Sequence, residues 1–252
     1  MSIFRQIISP PNTLSTLKET YQKWYSPTLG RDIEMLVFGH WGYPILLFPT
    51  SMGRYHQNKD FGLTDSVRWF VETGKIKLYL IDSIDKDSWY AKHLHPSVRA
   101  HNHAIYDRFL NDELVPAIRH ESNVDKIAVA GCSFGGYHAL NFAFKHPDKV
   151  AYMFSMSGAF DVRSFLEGHS DDTVYFNNPV DFMQNEEGWK YNHMKIVLGT
   201  SEWDICLNDN VRMSQILKTK GIHHWLDIRG WESHDWPLWN KMFPHYLSQM
   251  GL

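Results

Sequence analysis

Continuous apolar runs recur along this chain, and segments with helical spacing separate them. Runs of this kind are typical of β-strands that are buried on both faces of a sheet. Strands that alternate with helices predict a mostly parallel sheet covered by helices on both faces. The predicted buried strands lie at residues 43–50, 75–82, 126–132, 150–158, 195–200 and 223–230.

The segments between these strands include both helices and longer loops. Pro116 lies inside one helical pattern and predicts a kink or break there. Residues 83–103 are rich in histidine and predict a loop, and residues 159–190 are irregular and polar. We expect this second segment to be a loop or cap insertion over the site. The predicted helices lie at residues 63–73, 104–120, 135–146, 208–221 and 235–248.

The N-terminal part of the chain has a different pattern. Residues 13–39 alternate between apolar and polar side chains, and residues 29–32 carry a turn signal. This predicts two strands that form an antiparallel edge of the sheet. The chain has 252 residues and no linker rich in Pro, Gly or Ser, so residues 1–252 are predicted to form a single domain.

Charge and hydropathy exclude several classes of partner. The formal net charge is −3 at pH 7, which argues against a strongly basic nucleic-acid binder. No apolar stretch approaches the length of a membrane span, and the first residues lack the apolar core of a secretory signal. Two cysteines are too few for a disulfide framework. We therefore expect a cytoplasmic protein that binds neither nucleic acid nor membrane.

The sequence Gly-Cys-Ser-Phe-Gly at residues 131–135 follows a predicted buried strand and opens a predicted helix. A G-x-S-x-G motif in this setting indicates a nucleophile elbow, a strained turn that exposes the serine hydroxyl above the sheet. The glycines remove Cβ atoms where strand and helix approach each other. Ser133 is the predicted nucleophile, and an inert serine in a glycine-rich turn is the alternative.

A serine nucleophile needs a base and an acid that orients the base. In this kind of fold they follow in the order Ser, Asp or Glu, His. Asp204, after the strand at 195–200, is the predicted acid, although spacing alone does not separate it from Glu202 or Asp209. His234 lies in the loop after the last strand and is the predicted base.

The oxyanion hole requires two backbone N–H groups. One is predicted to come from Phe134, the residue after the nucleophile, and the other from Ser51 or a direct neighbour in the loop after the strand at 43–50. Trp89 and Tyr90 are predicted to form a wall of the pocket that binds the substrate.

Four histidines in the predicted loop have spacings that suggest a metal site. His93, His95, His101 and His103 include His-x-His pairs of the kind that bind zinc. A fixed third ligand is not evident, so we expect these side chains to be solvated and no metal to be bound. The sequence has no Walker or Rossmann motif, and no cofactor is expected.

Several longer motifs resemble one family. The sequences GCSFGGYHAL, GTSEWDICLNDN, SHDWPLWNKMFP and YDRFLNDELVPAIRH are similar to those of the putative-esterase family of α/β-hydrolases. That family includes esterase D (S-formylglutathione hydrolase), feruloyl and acetyl esterases, and mycolyltransferases. The resemblance implies an α/β-hydrolase fold and a possible homodimer. The family's acid lies in an Asp-x-x-Leu segment, which favours Asp204 over Asp209.

The chain departs from the family in the oxyanion loop. Relatives usually have His-Gly or Asp-Gly after the first buried strand, whereas this chain has Pro49 and Thr50. The expected activity is that of a serine carboxylic-ester hydrolase, acting on small or aryl esters as small-molecule substrates. An acyltransferase of the same chemistry and a non-catalytic binding protein are the alternatives that the sequence leaves open.

Overall fold

A central eight-stranded sheet organises the computed structural model, which describes residues 17–252. The strand order across the sheet is β1-β2-β4-β3-β5-β6-β7-β8. The strands are β1 (Glu19–Ser26), β2 (Arg31–Phe38), β3 (Tyr43–Phe48), β4 (Ile76–Ile81), β5 (Ile127–Cys132), β6 (Val150–Met156), β7 (Lys195–Trp203) and β8 (Trp225–Ser233).

The sheet confirms the predicted architecture. Strands β3 to β8 pair in parallel, whereas β1 and β2 pair with each other, and β2 with β4, in antiparallel fashion. The predicted antiparallel N-terminal edge is therefore present, although residues 13–16 of the predicted segment lie outside the described residues. The observed strands β7 and β8 extend three residues beyond their predicted ends, and these extensions lead toward Asp204 and His234.

Helices cover both faces of the sheet. Buried apolar side chains form one cluster on each face of the sheet. On one face the sheet packs against α4, α5, α6 and α9, and on the other against α2, α3 and α10. The helices are α1 (Gln57–Asp60), α2 (Leu63–Ser66), α3 (Arg68–Glu72), α4 (Pro96–Phe109), α5 (Val115–Ser122), α6 (Phe134–Lys145), α7 (Asp172–Tyr175), α8 (Pro179–Phe182), α9 (Leu207–Thr219) and α10 (Trp236–Met250).

The structure corrects the predicted start of α4 and shows how the helical segment accommodates Pro116. The prediction of a loop over 83–103 is wrong for its last part, because α4 begins at Pro96. Proline suits the first helical position, and the His95 side chain accepts a hydrogen bond from the Ser97 N–H as the helix cap. Before Pro116 the helix widens into a π-helical segment, Leu110–Leu114, which accommodates the missing N–H of the proline.

Residues 159–190 contain the short helices α7 and α8 and two single 3₁₀ turns, joined by irregular segments. That this segment covers the site stays a prediction, as does the assignment of residues 1–252 to a single domain. Within the described residues, no helix is long and apolar enough to cross a membrane.

Candidate active site

Ser133 lies in a strained turn between β5 and α6. Its φ of 54° and ψ of −122° are unfavourable for a residue with a side chain, and strain of this kind clusters at functional sites. The surrounding bonds hold the turn: the Ser133 N–H donates to the Met156 carbonyl at 2.8 Å, and the Ser133 carbonyl accepts from Gly136 at 2.9 Å. The predicted strand, turn and helix around the motif are therefore present.

Two glycines allow this turn to pack. A Cβ atom on Gly131 would lie 2.2 Å from the Gly135 carbonyl carbon, so β5 and α6 meet too closely for any side chain there. A Cβ on Gly135 would lie 2.5 Å from the Pro49 carbonyl oxygen. The start of α6 is thus in direct contact with the chain that leaves β3, which brings the predicted oxyanion loop next to the nucleophile.

The three predicted catalytic side chains are in contact. The Ser133 Oγ lies 2.9 Å from His234 Nε2, and His234 Nδ1 lies 2.7 Å from Asp204 Oδ1. The three side chains therefore form one continuous hydrogen-bonded chain, although Ser133 and His234 are 101 positions apart in the sequence. The Trp239 ring packs edge-on against the His234 ring, with centroids 5.1 Å apart, and limits its rotation.

Asp204 differs from the other two carboxylates that the sequence left open. The Cys206 N–H donates to Asp204 Oδ1 at 2.8 Å. Burial raises the pKa of Asp204, but hydrogen bonds from His234 and this N–H outweigh it, so its pKa lies below the usual value. Asp209 instead accepts the Phe160 N–H at 3.0 Å, and Glu202 is exposed. Only Asp204 among the three contacts His234 within the described chain.

Between Thr50 and Met52, the loop after β3 leaves one backbone N–H without a protein acceptor. The Thr50 N–H donates to Gln57 Oε1 at 2.9 Å, and the Met52 N–H donates to Asp85 Oδ2 at 2.9 Å. Within residues 17–252, the N–H groups of Ser51 and Phe134 donate to no protein acceptor. These are the two donors that the sequence predicts for the oxyanion hole, and both are available for a ligand.

Asp85, which accepts the Met52 N–H of this loop, is a residue of the site that the sequence analysis did not identify. It is completely buried, and its second oxygen lies 2.8 Å from His138 Nε2 on α6. His138 is likewise buried. The signal in the sequence was an acidic residue shortly after the carboxyl end of a buried strand, β4, where ligand-binding groups gather in such sheets.

The two predicted wall residues have different positions. Tyr90 is half-buried, and its hydroxyl donates to Ser51 Oγ at 2.7 Å, which places it against the oxyanion loop. Trp89 is completely buried, and its indole N–H donates to the Tyr137 hydroxyl at 3.1 Å. Trp89 thus packs as core and presents no exposed surface, and its predicted role as a wall of the substrate pocket stays a prediction.

The histidine cluster is also more varied than predicted. His93, His95 and His101 are exposed, as expected for solvated side chains. His103 is buried on α4, next to the Tyr137 hydroxyl at 3.1 Å. Burial lowers the pKa of His103 well below its usual value, since the charged ring would lose its hydration.

One group of side chains in the described residues has the composition of a metal site. Ligand atoms of Asp204, Cys206 and His234 lie within 4.8 Å of one another. The His234 and Asp204 atoms already share a hydrogen bond, and burial together with the nearby carboxylates raises the pKa of Cys206 to about 12. Metal binding requires the thiolate, so this arrangement fits a hydrogen-bonded triad better than a metal centre.

Comparisons with known proteins agree with this architecture. A ferulic acid esterase shares 17% identity over 90% of this chain and 95% of its own, with a TM-score of 0.72. An S-formylglutathione hydrolase from Agrobacterium tumefaciens shares 15% identity over 99% and 98%, with a TM-score of 0.74. FphF from Staphylococcus aureus, described as a fluorophosphonate-binding serine hydrolase, shares 16% identity over 93% and 98%, with a TM-score of 0.67. A sequence search of curated proteins found no match.

The fold is thus that of the α/β-hydrolases. The family model described as Putative esterase matches residues 59–250, and the chain belongs to that family. The resemblance predicted from the motifs is confirmed, and so is the prediction of a carboxylic-ester hydrolase at the level of enzyme class.

Proposed function

We propose that this protein hydrolyses carboxylic esters through an acyl-enzyme on Ser133, with His234 as the base and Asp204 as the acid that orients it. The observation that carries the proposal is the continuous chain of contacts from Ser133 Oγ to His234 Nε2, at 2.9 Å, and from His234 Nδ1 to Asp204 Oδ1, at 2.7 Å. A hydroxyl is too weak a nucleophile at neutral pH without such a base.

In the first half-reaction, Ser133 Oγ attacks the ester carbonyl carbon while His234 Nε2 takes the hydroxyl proton. The carbonyl oxygen becomes an oxyanion, which the N–H groups of Phe134 and Ser51 stabilise. The tetrahedral intermediate collapses when the bond to the alcohol oxygen breaks, and His234 returns the proton to that oxygen. Asp204 stabilises the imidazolium form between these two transfers.

In the second half-reaction, water attacks the acyl-enzyme while His234 takes one of its protons. The bond from the carbonyl carbon to Ser133 Oγ then breaks, and the proton returns to the serine. The product is a carboxylic acid, and the enzyme regains its starting state without any cofactor. An alcohol in the place of water would give acyl transfer by the same steps.

The substrate class is proposed from the side chains around the nucleophile turn. The Tyr90 ring lies 5.4 Å from the Phe134 ring and 4.8 Å from the Phe165 ring, which belongs to the 159–190 segment. We take such a cluster of flat side chains beside the nucleophile turn to favour small or aryl esters over long acyl chains, because flat rings pack well against an aryl group. Similar structures include a ferulic acid esterase, and ferulic acid carries an aryl ring.

The experiment is hydrolysis of p-nitrophenyl acetate, butyrate and octanoate by the wild-type protein and by Ser133→Ala. We expect turnover of the two shorter esters by the wild type and a loss of at least about four orders of magnitude in kcat for the variant. Ser66→Ala is the matched control, because the Ser66 hydroxyl donates only to the Leu63 carbonyl in α2.

Equal rates for wild type and Ser133→Ala would contradict the mechanism, as would a wild type without turnover of any ester. Adding methanol as a competing acceptor separates hydrolysis from transfer. A product that is mainly the methyl ester at low methanol concentration would identify an acyltransferase, whereas free acid identifies a hydrolase.

A further inference from the structure

We propose that Asp85, held in place by His138, is a positioning residue that aims the Ser51 N–H at the oxyanion. This inference rests on the proposed function, because it assigns the second oxyanion donor of the same site. Nothing in the motif of the oxyanion loop identifies that donor, since Pro49 and Thr50 stand where related sequences usually carry His-Gly or Asp-Gly.

The loop is held on both sides of Ser51. Before it, Gln57 Oε1 accepts hydrogen bonds from the Thr50 N–H at 2.9 Å and the Thr50 hydroxyl at 3.0 Å. After it, Asp85 Oδ2 accepts the Met52 N–H at 2.9 Å. The two flanking N–H groups are therefore engaged by protein acceptors, and the N–H between them is the one left for a ligand.

The backbone at Met52 needs this support. Its φ of 55° lies in the left-handed region, which residues with a side chain rarely adopt. Half-exposed as it is, the Met52 side chain has little packing to hold this conformation, whereas the bond to Asp85 fixes its peptide group directly. Strained conformations persist where their surroundings determine them in this way.

Asp85 also ties the loop to the helix that carries the other donor. His138 Nε2 lies 2.8 Å from Asp85 Oδ1, and His138 is on α6, the helix that begins at Phe134. The Phe134 ring packs edge-on against the His138 ring, with centroids 5.1 Å apart. Through this connection, the position of the Ser51 N–H is fixed relative to the Phe134 N–H.

The burial of the pair makes the connection stiff. The Asp85 and His138 side chains are 0% and 1% exposed, so in the folded protein neither has solvent as an alternative partner. A buried carboxylate that loses its partners is costly, whereas a fully bonded one holds its geometry. The pair lies behind the loop, and we expect it to touch neither substrate nor reacting atoms.

The expected effect on the reaction is selective. Removing an oxyanion donor lowers kcat by about 10²- to 10³-fold, and a donor that is present but poorly aimed costs less than this. We therefore expect Asp85→Ala to lower kcat by about 10- to 100-fold. The KM for a small ester is expected to stay within about threefold, because the ground-state carbonyl gains little from the oxyanion hole.

The experiment compares Asp85→Ala, Asp85→Asn and Gln57→Met with the control Asp82→Asn. Asp82 also follows β4, and its Oδ1 accepts the Tyr55 N–H at 2.8 Å, so it makes the same kind of bond three residues further along the loop. We expect the Asp82 variant to keep wild-type kcat within about threefold. Gln57→Met is expected to lower kcat by about tenfold. This effect is smaller because Gln57 is a neutral acceptor that is only half-buried.

A second measurement separates misplacement of the Ser51 N–H from a general loss of structure. A trifluoromethyl ketone forms a tetrahedral oxyanion adduct on a catalytic serine, so its affinity reports oxyanion stabilisation. We expect the inhibition constant to rise in proportion to the loss of kcat in the Asp85 and Gln57 variants, with no change in the Asp82 variant. Should Asp85→Ala fail to fold, Asp85→Asn and Gln57→Met carry the same comparison.

The inference is overturned if the folded Asp85 and Gln57 variants keep wild-type kcat and ketone affinity, or lose no more than Asp82→Asn. It is also overturned if they raise KM alone. Failure of the proposed function is distinguishable, because it would be seen in the wild type itself, as absent turnover or as activity that survives Ser133→Ala.

Discussion

Two His–Asp pairs lie at the same edge of the sheet, and they differ in surroundings more than in geometry. His234 Nδ1 lies 2.7 Å from Asp204, and His138 Nε2 lies 2.8 Å from Asp85. Each aspartate also accepts one backbone N–H: Asp204 accepts that of Cys206, and Asp85 accepts that of Met52 in the oxyanion loop.

The difference lies in what the rest of each histidine faces. The His234 side chain is 14% exposed, and its second nitrogen reaches the Ser133 hydroxyl. The His138 side chain is 1% exposed and enclosed by the rings of Phe48, Phe134 and Tyr106. We infer that a His–Asp pair can act as a base where the histidine reaches a hydroxyl and solvent, and as a structural support where other side chains enclose it.

The largest predicted difference between the pairs concerns the histidines. His234→Ala removes the proposed base and is expected to lower kcat by about four to six orders of magnitude. His138→Gln leaves the base in place and is expected to cost about 10- to 100-fold, through the oxyanion loop. Steady-state kinetics on p-nitrophenyl acetate measure both, and equal losses would mean that the two pairs do not differ in role.

A smaller effect is expected from Asp204, the proposed acid. Asp204→Asn keeps the size and shape of the side chain but no longer fixes the His234 tautomer. We therefore expect kcat to fall by about 10⁴-fold. The pKa of Asp204 lies below the usual value, so the wild-type carboxylate is ionised throughout the neutral range. Asp209→Asn is the control, with kcat expected within about threefold; the reverse order of effects would assign the acid to Asp209.

The contact between α6 and the chain after β3 offers an intermediate test. Gly135 separates α6 from the chain after β3, and a Cβ there would lie 2.5 Å from the Pro49 carbonyl oxygen. Gly135→Ala is expected to destabilise the protein by about 1–3 kcal/mol and to lower kcat by about 10²-fold, because the two oxyanion donors move apart.

Gly30→Ala is the matched control for that variant. Gly30 has a φ of 64°, and a Cβ on this residue would have no atom within 4 Å, so the substitution strains the backbone without a clash. We expect a loss of about 1 kcal/mol in the free energy of unfolding, from chemical denaturation, and an unchanged kcat. If Gly135→Ala behaves like this control, contact between α6 and the oxyanion loop is not needed for the reaction.

The smallest expected effect on the reaction comes from a further His–Asp contact outside the site. Asp107 lies 3.2 Å from His146 and 2.9 Å from Lys145. Burial raises the pKa of Asp107, but the His146 hydrogen bond and the Lys145 charge outweigh it and lower this pKa from 3.8 to about 2.

Asp107→Asn is therefore expected to cost about 2 kcal/mol of stability at neutral pH, with kcat unchanged. A lowered carboxyl pKa stabilises the folded state above the unfolded value, and this stabilisation is lost as the pH falls from about 4 to about 2. Urea unfolding at pH 7 and pH 3 measures the difference. A stability gap between variant and wild type that grows toward acid pH would contradict this assignment.

The sheet and the contacts among Ser133, His234 and Asp204 could be predicted from the sequence because each depends on local patterns and one rule of topology. Apolar runs mark the buried strands, and the carboxyl ends of parallel strands meet at one edge. Ser133, Asp204 and His234 each follow such a strand end, so their order in the chain predicted their meeting. The same patterns predicted the mostly parallel sheet with its antiparallel edge, whereas the α/β-hydrolase fold was implied by the family resemblance.

The Asp85–His138 pair behind the oxyanion loop could not be predicted in this way. Asp85 bonds to Met52 and His138, which come from separate segments of the chain, and no local pattern distinguishes a buried aspartate from a solvated one. Trp89 shows the same limit, because a tryptophan in a polar loop sequence gives no sign that it packs as core. The polar, histidine-rich sequence around Pro96 predicts a loop, although proline also begins helices, as it does here.

The central claim is that Ser133 is the nucleophile and that His234 activates it. Labelling with a fluorophosphonate, followed by peptide mass spectrometry, tests this most directly. The account predicts one equivalent of label on the peptide that contains Ser133, no label on that peptide in Ser133→Ala, and much slower labelling in His234→Ala than in His138→Gln. Absence of label from the wild type, label on another residue, or equal labelling rates in the two histidine variants would contradict it.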